Sequence, residues 1–137
     1  MTSLVTRFVS GIYLNHPENS YELHRKMFSI EEDNFMVDIL ESSCLPEEQF
    51  TAMRHLYIAN SSHILLTFSL TDPTSLEDVL KYVDIIQNLP PIKGIKTKEH
   101  HIALVGTKSD LVNQRRVTKE QGVRFAATVG CPYFEVS

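Results

Sequence analysis

The sequence predicts an α/β fold with a mostly parallel sheet. Apolar runs of strand length at residues 63–69, 102–105 and 133–136 alternate with stretches of helical periodicity, the pattern of strand–helix–strand units. Two of the helical stretches open on a Thr followed three residues later by Glu or Gln, a helix-start signature. The length of 137 residues and the 42% hydrophobic content suit a single domain, residues 1–137, with a real core.

In chain order, residues 2–9 place Leu4, Val5, Phe8 and Val9 at helical spacing, with Thr and Ser at the start and Gly11 past the end. Residues 25–30 and 35–41 flank the polar turn Glu31-Glu32-Asp33-Asn34, which predicts a hairpin. Residues 63–69 form a short strand. Thr74-Ser75-Leu76-Glu77 has the spacing of a capping box, and Leu76, Val79, Leu80, Val83 and Ile86 follow on one helical face. Ile102 to Val105 is a buried-strand candidate ended by Gly106. Thr118-Lys119-Glu120-Gln121 repeats the cap spacing before a helix that Gly130 closes, and Tyr133 to Val136 makes the last strand. In such a sheet ligands bind where loops leave the carboxyl ends of the strands. Residues 41–46, 106–111 and 135–137 occupy those positions.

Composition excludes several classes. A net charge of −4 and the lack of a basic stripe argue against nucleic acid as a partner. The densest positive stretch, Lys93-Gly94-Ile95-Lys96-Thr97-Lys98, reads as a solvated connecting loop. Two cysteines, Cys44 and Cys131, are too few for a disulfide framework and suit a reducing compartment. The longest apolar run, residues 64–68, falls far short of the ~20 residues of a membrane span, and the N-terminus carries no secretory signal. A cytoplasmic protein without a transmembrane segment is expected. His100-His101 reads as a loop leading into a strand, Arg115-Arg116 as a solvated turn, and Cys131 as a small buried residue.

Gly106-Thr107-Lys108-Ser109-Asp110-Leu111, directly after an apolar strand, looks like the guanine-recognition motif of small GTPases. A carboxylate at Asp110 can accept both N–H donors on the guanine edge, a pairing adenine does not offer. Residues 48–57, Glu48-Gln49-Phe50-Thr51-Ala52-Met53-Arg54-His55-Leu56-Tyr57, resemble the second switch segment of the Ras and Rap branches. Phe8-Val9-Ser10-Gly11-Ile12-Tyr13 resembles the end of their first helix, and Lys119-Glu120-Gln121-Gly122 and Phe134-Glu135-Val136-Ser137 match later segments in order. The chain is thus similar to Ras-type small GTPases over its whole length. The resemblance implies a three-layer small-GTPase fold of the P-loop NTPase kind, incomplete at both ends, and a truncated domain.

The same resemblance implies guanine nucleotide (GTP or GDP) and Mg²⁺ as ligands. Thr107, Lys108, Asp110 and Ser137 fall on nucleotide-binding positions, and Thr2 and Glu41 on metal positions. Tyr21, Glu22, Arg25, Phe50, Met53 and Tyr57 fall where protein effectors and regulators read the mobile switches. Membrane attachment, as in lipid-anchored relatives, would use a tail beyond Ser137 and place the protein on the cytoplasmic face of a membrane.

Departures from the family pattern limit that chemistry. Met1 stands where the phosphate-loop lysine belongs. The Pro-Thr of the first switch has no counterpart around Pro17. Glu41 is one methylene longer than the family's aspartate, and Cys44 replaces the glycine whose N–H meets the third phosphate. No glutamine sits where the family positions attacking water. Losing three or four donors to charged oxygen, at ~1.5–3 kcal/mol each, and the lysine with them, costs on the order of 6 kcal/mol, roughly 10⁴-fold in affinity. No catalytic residue is assigned. The expectation is a signalling switch by family with impaired GTP binding and hydrolysis. The alternative is a pseudo-GTPase, an interaction module independent of nucleotide.

Overall fold

A computed structural model of the chain describes residues 4–5, 23–40, 51–95 and 99–137, the side chains of residues 23, 24, 40 and 51–54 apart. They fall into two compact units, residues 1–51 and 52–137.

In the first unit, Leu4 and Val5 are helical and Val5 is buried; the rest of the helix expected over residues 2–9 lies outside the described residues. The expected hairpin is present as β1 (Leu23–Ile30) and β2 (Asp33–Leu40), paired antiparallel. Its turn is shorter than the polar run suggests. Only Glu31 and Glu32 turn, while Asp33 and Asn34 pair with Ile30 and Ser29. Glu31 takes a left-handed φ of 58°, as two-residue hairpin turns of the favoured twist demand, and Ser29 Oγ donates to Asn34 Oδ1 at 2.5 Å. Polarity alone does not separate turn from strand end.

The second unit runs α1 (Thr51–Asn60, its first residue counted with the first unit), β3 (His63–Ser69), α2 (Pro73–Gln87), β4 (His101–Thr107), a 3₁₀ turn (Val112–Gln114), α3 (Lys119–Val129) and β5 (Tyr133–Glu135). The strands pair in parallel in the order β3-β4-β5, with a helix in each crossover, as parallel pairing requires. The α/β fold with a parallel sheet predicted from sequence is the fold observed. Leu66 and Phe68 of β3 and Leu104 of β4 lie on one sheet face and are buried with Val79, Val83 and Ile86 of α2. Those three helix positions recur every three to four residues, the spacing of a single buried stripe.

Two details of α2 correct the sequence reading. The Thr74–Glu77 box does not form. Asp72 caps the helix, accepting from the Thr74 N–H at 3.0 Å, and Pro73 opens the first turn, where its missing N–H costs nothing. Thr74 is therefore already helical. Ser75 accepts from Ser69 N–H at 2.9 Å and donates to Asp72 O at 2.6 Å, binding the end of β3 to the helix start. Leu80, expected on the apolar face, is 53% exposed. The second box holds: Thr118 and Gln121 cap each other, and Gly130 ends α3 at φ 81°.

Candidate functional site

β4 ends at Thr107, and the chain turns at Lys108, whose φ of 63° is left-handed. Thr107 Oγ1 donates to Phe68 O at 2.9 Å, and Leu70 N–H donates to Thr107 O at 3.0 Å. The ends of β3 and β4 are thereby locked together. Leu111 N–H donates to Lys108 O and Val112 N–H to Asp110 O, at 3.1 and 3.0 Å, which tightens the loop. Lys108 and Asp110 are exposed, and neither side chain bonds to another of the described residues.

The end of β5 lies against this loop. Val136 N–H donates to Gly106 O at 2.8 Å, and Ser109 N–H donates to Val136 O at 3.1 Å. Ser137 is thus the neighbour of the loop that carries Lys108 and Asp110. Close approach depends on Gly106, where a Cβ would fall 2.9 Å from Leu70 Cδ2 and 3.1 Å from the Tyr133 hydroxyl.

Behind the two loops lies a charged cluster that the sequence did not announce. Arg115 places two guanidinium nitrogens on Glu135, at 3.0 and 2.5 Å, and its Nε–H on Val117 O at 2.8 Å. The Tyr133 hydroxyl donates to Glu135 Oε1 at 2.7 Å. Hydrogen bonding to Arg115 holds the Glu135 carboxyl below its ordinary range, while burial and then Glu135 push the Tyr133 phenol up. Arg115 is therefore not on a solvated turn as expected; its side chain is 27% exposed and that of Glu135 17%. Arg116, its neighbour, is exposed as expected. The partners are 20 residues apart in sequence, a pairing that only the β5 register creates.

The chain matches the family model described as Ras family over residues 1–137. The chain belongs to the Ras family. The Ras-like protein rasU of Dictyostelium discoideum is 29% identical over 137 residues, covering 99% of this chain and 61% of that protein. The GTP-binding protein Rit1 of Mus musculus is also 29% identical, with 59% of its length covered, and Ras-like protein 1 of Saccharomyces cerevisiae is 28% identical, with 42% covered. The chain spans about six-tenths or less of the relatives named here.

Within this Ras-family chain, the structure brings Thr107, Lys108, Asp110 and Ser137 to one end of the parallel sheet. Among the described residues the exposed Asp110 carboxylate on this loop has no side-chain partner, and such a carboxylate can accept two N–H donors at once. The expected metal positions Thr2 and Glu41, the expected partner positions Tyr21, Glu22 and Phe50, and Cys44 lie outside the described residues. Met53 lies on α1, where Tyr57 is half-buried. Arg25 is on β1, exposed and paired with Asp38 at 2.7 Å.

Other sequence readings are settled in part. Cys131 is half-buried, and burial pushes its thiol up, away from the reactive thiolate. His101 opens β4 and stacks on His63 at 5.1 Å, while His100 Nδ1 contacts Ser61 O at 2.7 Å. Among the described residues no group of three or more His, Cys, Asp or Glu could hold a metal ion, and no helix is long and apolar enough to cross a membrane.

Proposed function

We propose that this Ras-family chain is a guanine-nucleotide-binding signalling protein that keeps base recognition and has weakened phosphate binding and hydrolysis. The observation that carries the reading is Asp110, exposed and without a protein partner among the described residues on a loop fixed by Thr107, Leu70 and Val136. Asp110 accepts the two guanine N–H donors, the stem of Lys108 lies along the purine face, and the backbone at Ser137 closes the site. Thr2 and Glu41 hold Mg²⁺, and Met1, Glu41 and Cys44 weaken the phosphate half. Residues 1–137 act as one cytoplasmic GTPase-type domain, on the membrane surface where a lipidated tail follows, and hydrolysis runs at no useful rate. Competition between GDP and ADP for a fluorescent guanine nucleotide tests the reading. Preference for GDP that disappears in Asp110→Ala supports it; equal binding of GDP and ADP refutes it.

A second reading, a pseudo-GTPase that binds effectors or regulators without nucleotide control, draws on the hairpin. Arg25 and Asp38, Met27 and Met36, and Ser29 and Asn34 stand opposite one another on one face, with Met27 62% and Met36 56% exposed. An apolar pair beside a charged pair is a surface suited to protein recognition. Partner capture that is indifferent to added GDP and lost in Met27→Ser would favour this reading.

A further inference from the structure

The loop that carries Asp110 and the end of β5 that carries Ser137 belong to different strands, and two backbone bonds, Val136 N–H to Gly106 O and Ser109 N–H to Val136 O, join them. Glu135 immediately precedes Val136, so an anchored Glu135 side chain limits how far the backbone at Val136 can shift. Three donors hold that side chain: two nitrogens of Arg115 and the hydroxyl of Tyr133. Arg115 is itself fixed, since its Nε–H binds Val117 O and the next two residues, Arg116 and Val117, both donate their N–H to Leu70 O at 2.8 and 3.0 Å. Leu70 N–H in turn binds Thr107 O. A closed circuit runs from Thr107 through Leu70, Arg115, Glu135 and Val136 to Ser109, the residue before Asp110.

A planar guanidinium that meets a carboxylate with two parallel bonds fixes both distance and direction. Neither group is free to trade partners, because each is largely shielded from water. We propose that Arg115 is a positioning residue for the base site. It acts through Glu135 and Val136 to hold Ser109 and Asp110 in place, and it does not itself touch the ligand. The nucleotide consequence rests on the guanine reading above; the control of loop geometry does not.

The test is amide hydrogen exchange and nucleotide titration on the full chain carrying Arg115→Met, which keeps the stem and removes the fork. Exchange at Ser109 and Val136 rises about tenfold while Leu104, bonded to Pro132 O in the same sheet, stays within about twofold; coupled networks transmit effects of this order. GDP affinity falls by a similar factor, and in an Asp110→Ala background Arg115→Met weakens it no further. Unchanged exchange at Ser109 and Val136, acceleration spread evenly over β4, or additive losses of affinity would overturn the positioning role. Glu135→Gln, which keeps an acceptor for Tyr133 and removes the charge, gives the same pair of fast amides if Arg115→Met does not fold. An unsubstituted chain that does not distinguish GDP from ADP defeats the guanine reading alone, and the exchange result still decides the role of Arg115.

Discussion

Lys108 holds a φ of 63°, a region where an L side chain crowds its own backbone at a cost of ~1–2 kcal/mol. Such strain persists where a site over-determines it, and here Thr107 and Leu111 fix the residues on either side. Lys108→Gly is therefore expected to act with opposite signs. It raises stability by ~0.5–1 kcal/mol, less than the relieved strain because glycine frees the unfolded chain, and, on the proposed base site, it weakens GDP by removing the stem that would cover the purine face. Thermal melts and titrations on one preparation read both; a loss of stability would show that Lys108 is unstrained. Glu135 gives a pH dependence. Hydrogen bonds from Arg115 place its carboxyl below the ordinary value of 4.5, so the folded state binds that proton less readily than the unfolded chain. The stabilisation is complete above about 4.5 and is lost as pH falls through the lower value in the fold. Urea midpoints from neutral pH downward should fall over that window, and less steeply in Glu135→Gln. An identical slope in both proteins would rule out this linkage. Asp110 could be proposed from sequence because its motif is contiguous, whereas the Arg115–Glu135 pair joins the turn after Gln114 to β5, which only the fold brings together.

At the scale of elements, local signals succeeded where a single chemistry decided the outcome. Thr118 with Gln121 and Gly130 bound α3 as the sequence implies, since no competing cap stands nearby. α2 misled because Asp72-Pro73 and Thr74 to Glu77 offer overlapping starts; the proline fixes φ and takes the first position. The hairpin turn misled because Asp33 and Asn34 are turn residues by type and strand residues by pairing. Gly122 shows a conflict between element and packing. Inside α3, alanine for glycine should gain ~1 kcal/mol of helix propensity. The added Cβ would instead land on the Tyr133 ring, 2.8 Å from Cε1 and nearer still to Cζ, and overpacking of that kind costs ~1–3 kcal/mol. Gly122→Ala is expected to lower the melting temperature, and by pushing Tyr133 off Glu135 to loosen the loop proposed to hold the base as well. A melting temperature at or above that of the parent would mean that Tyr133 swings aside freely.

The parallel sheet of the second unit presents two unlike faces. One carries Leu66, Phe68 and Leu104 and is sealed by α2. On the other, register places Leu65, Thr67, Val105 and Phe134 together; Val105 is buried, while Leu65 and Phe134 are 59% and 55% exposed. Among the described residues β3 pairs only with β4. Exposed apolar side chains promote association, and a net charge of −4 on 137 residues gives modest repulsion. The chain is expected to self-associate as concentration rises, and Leu65→Thr with Phe134→Thr should reduce this. Because neither side chain is buried, the double variant should shift stability by no more than ~0.5 kcal/mol per site, the range of ordinary surface changes. Sedimentation velocity over a concentration series, paired with thermal melts, separates the two effects. Unchanged association would place the contact elsewhere, and a large drop in melting temperature would mean that Leu65 and Phe134 are covered in solution.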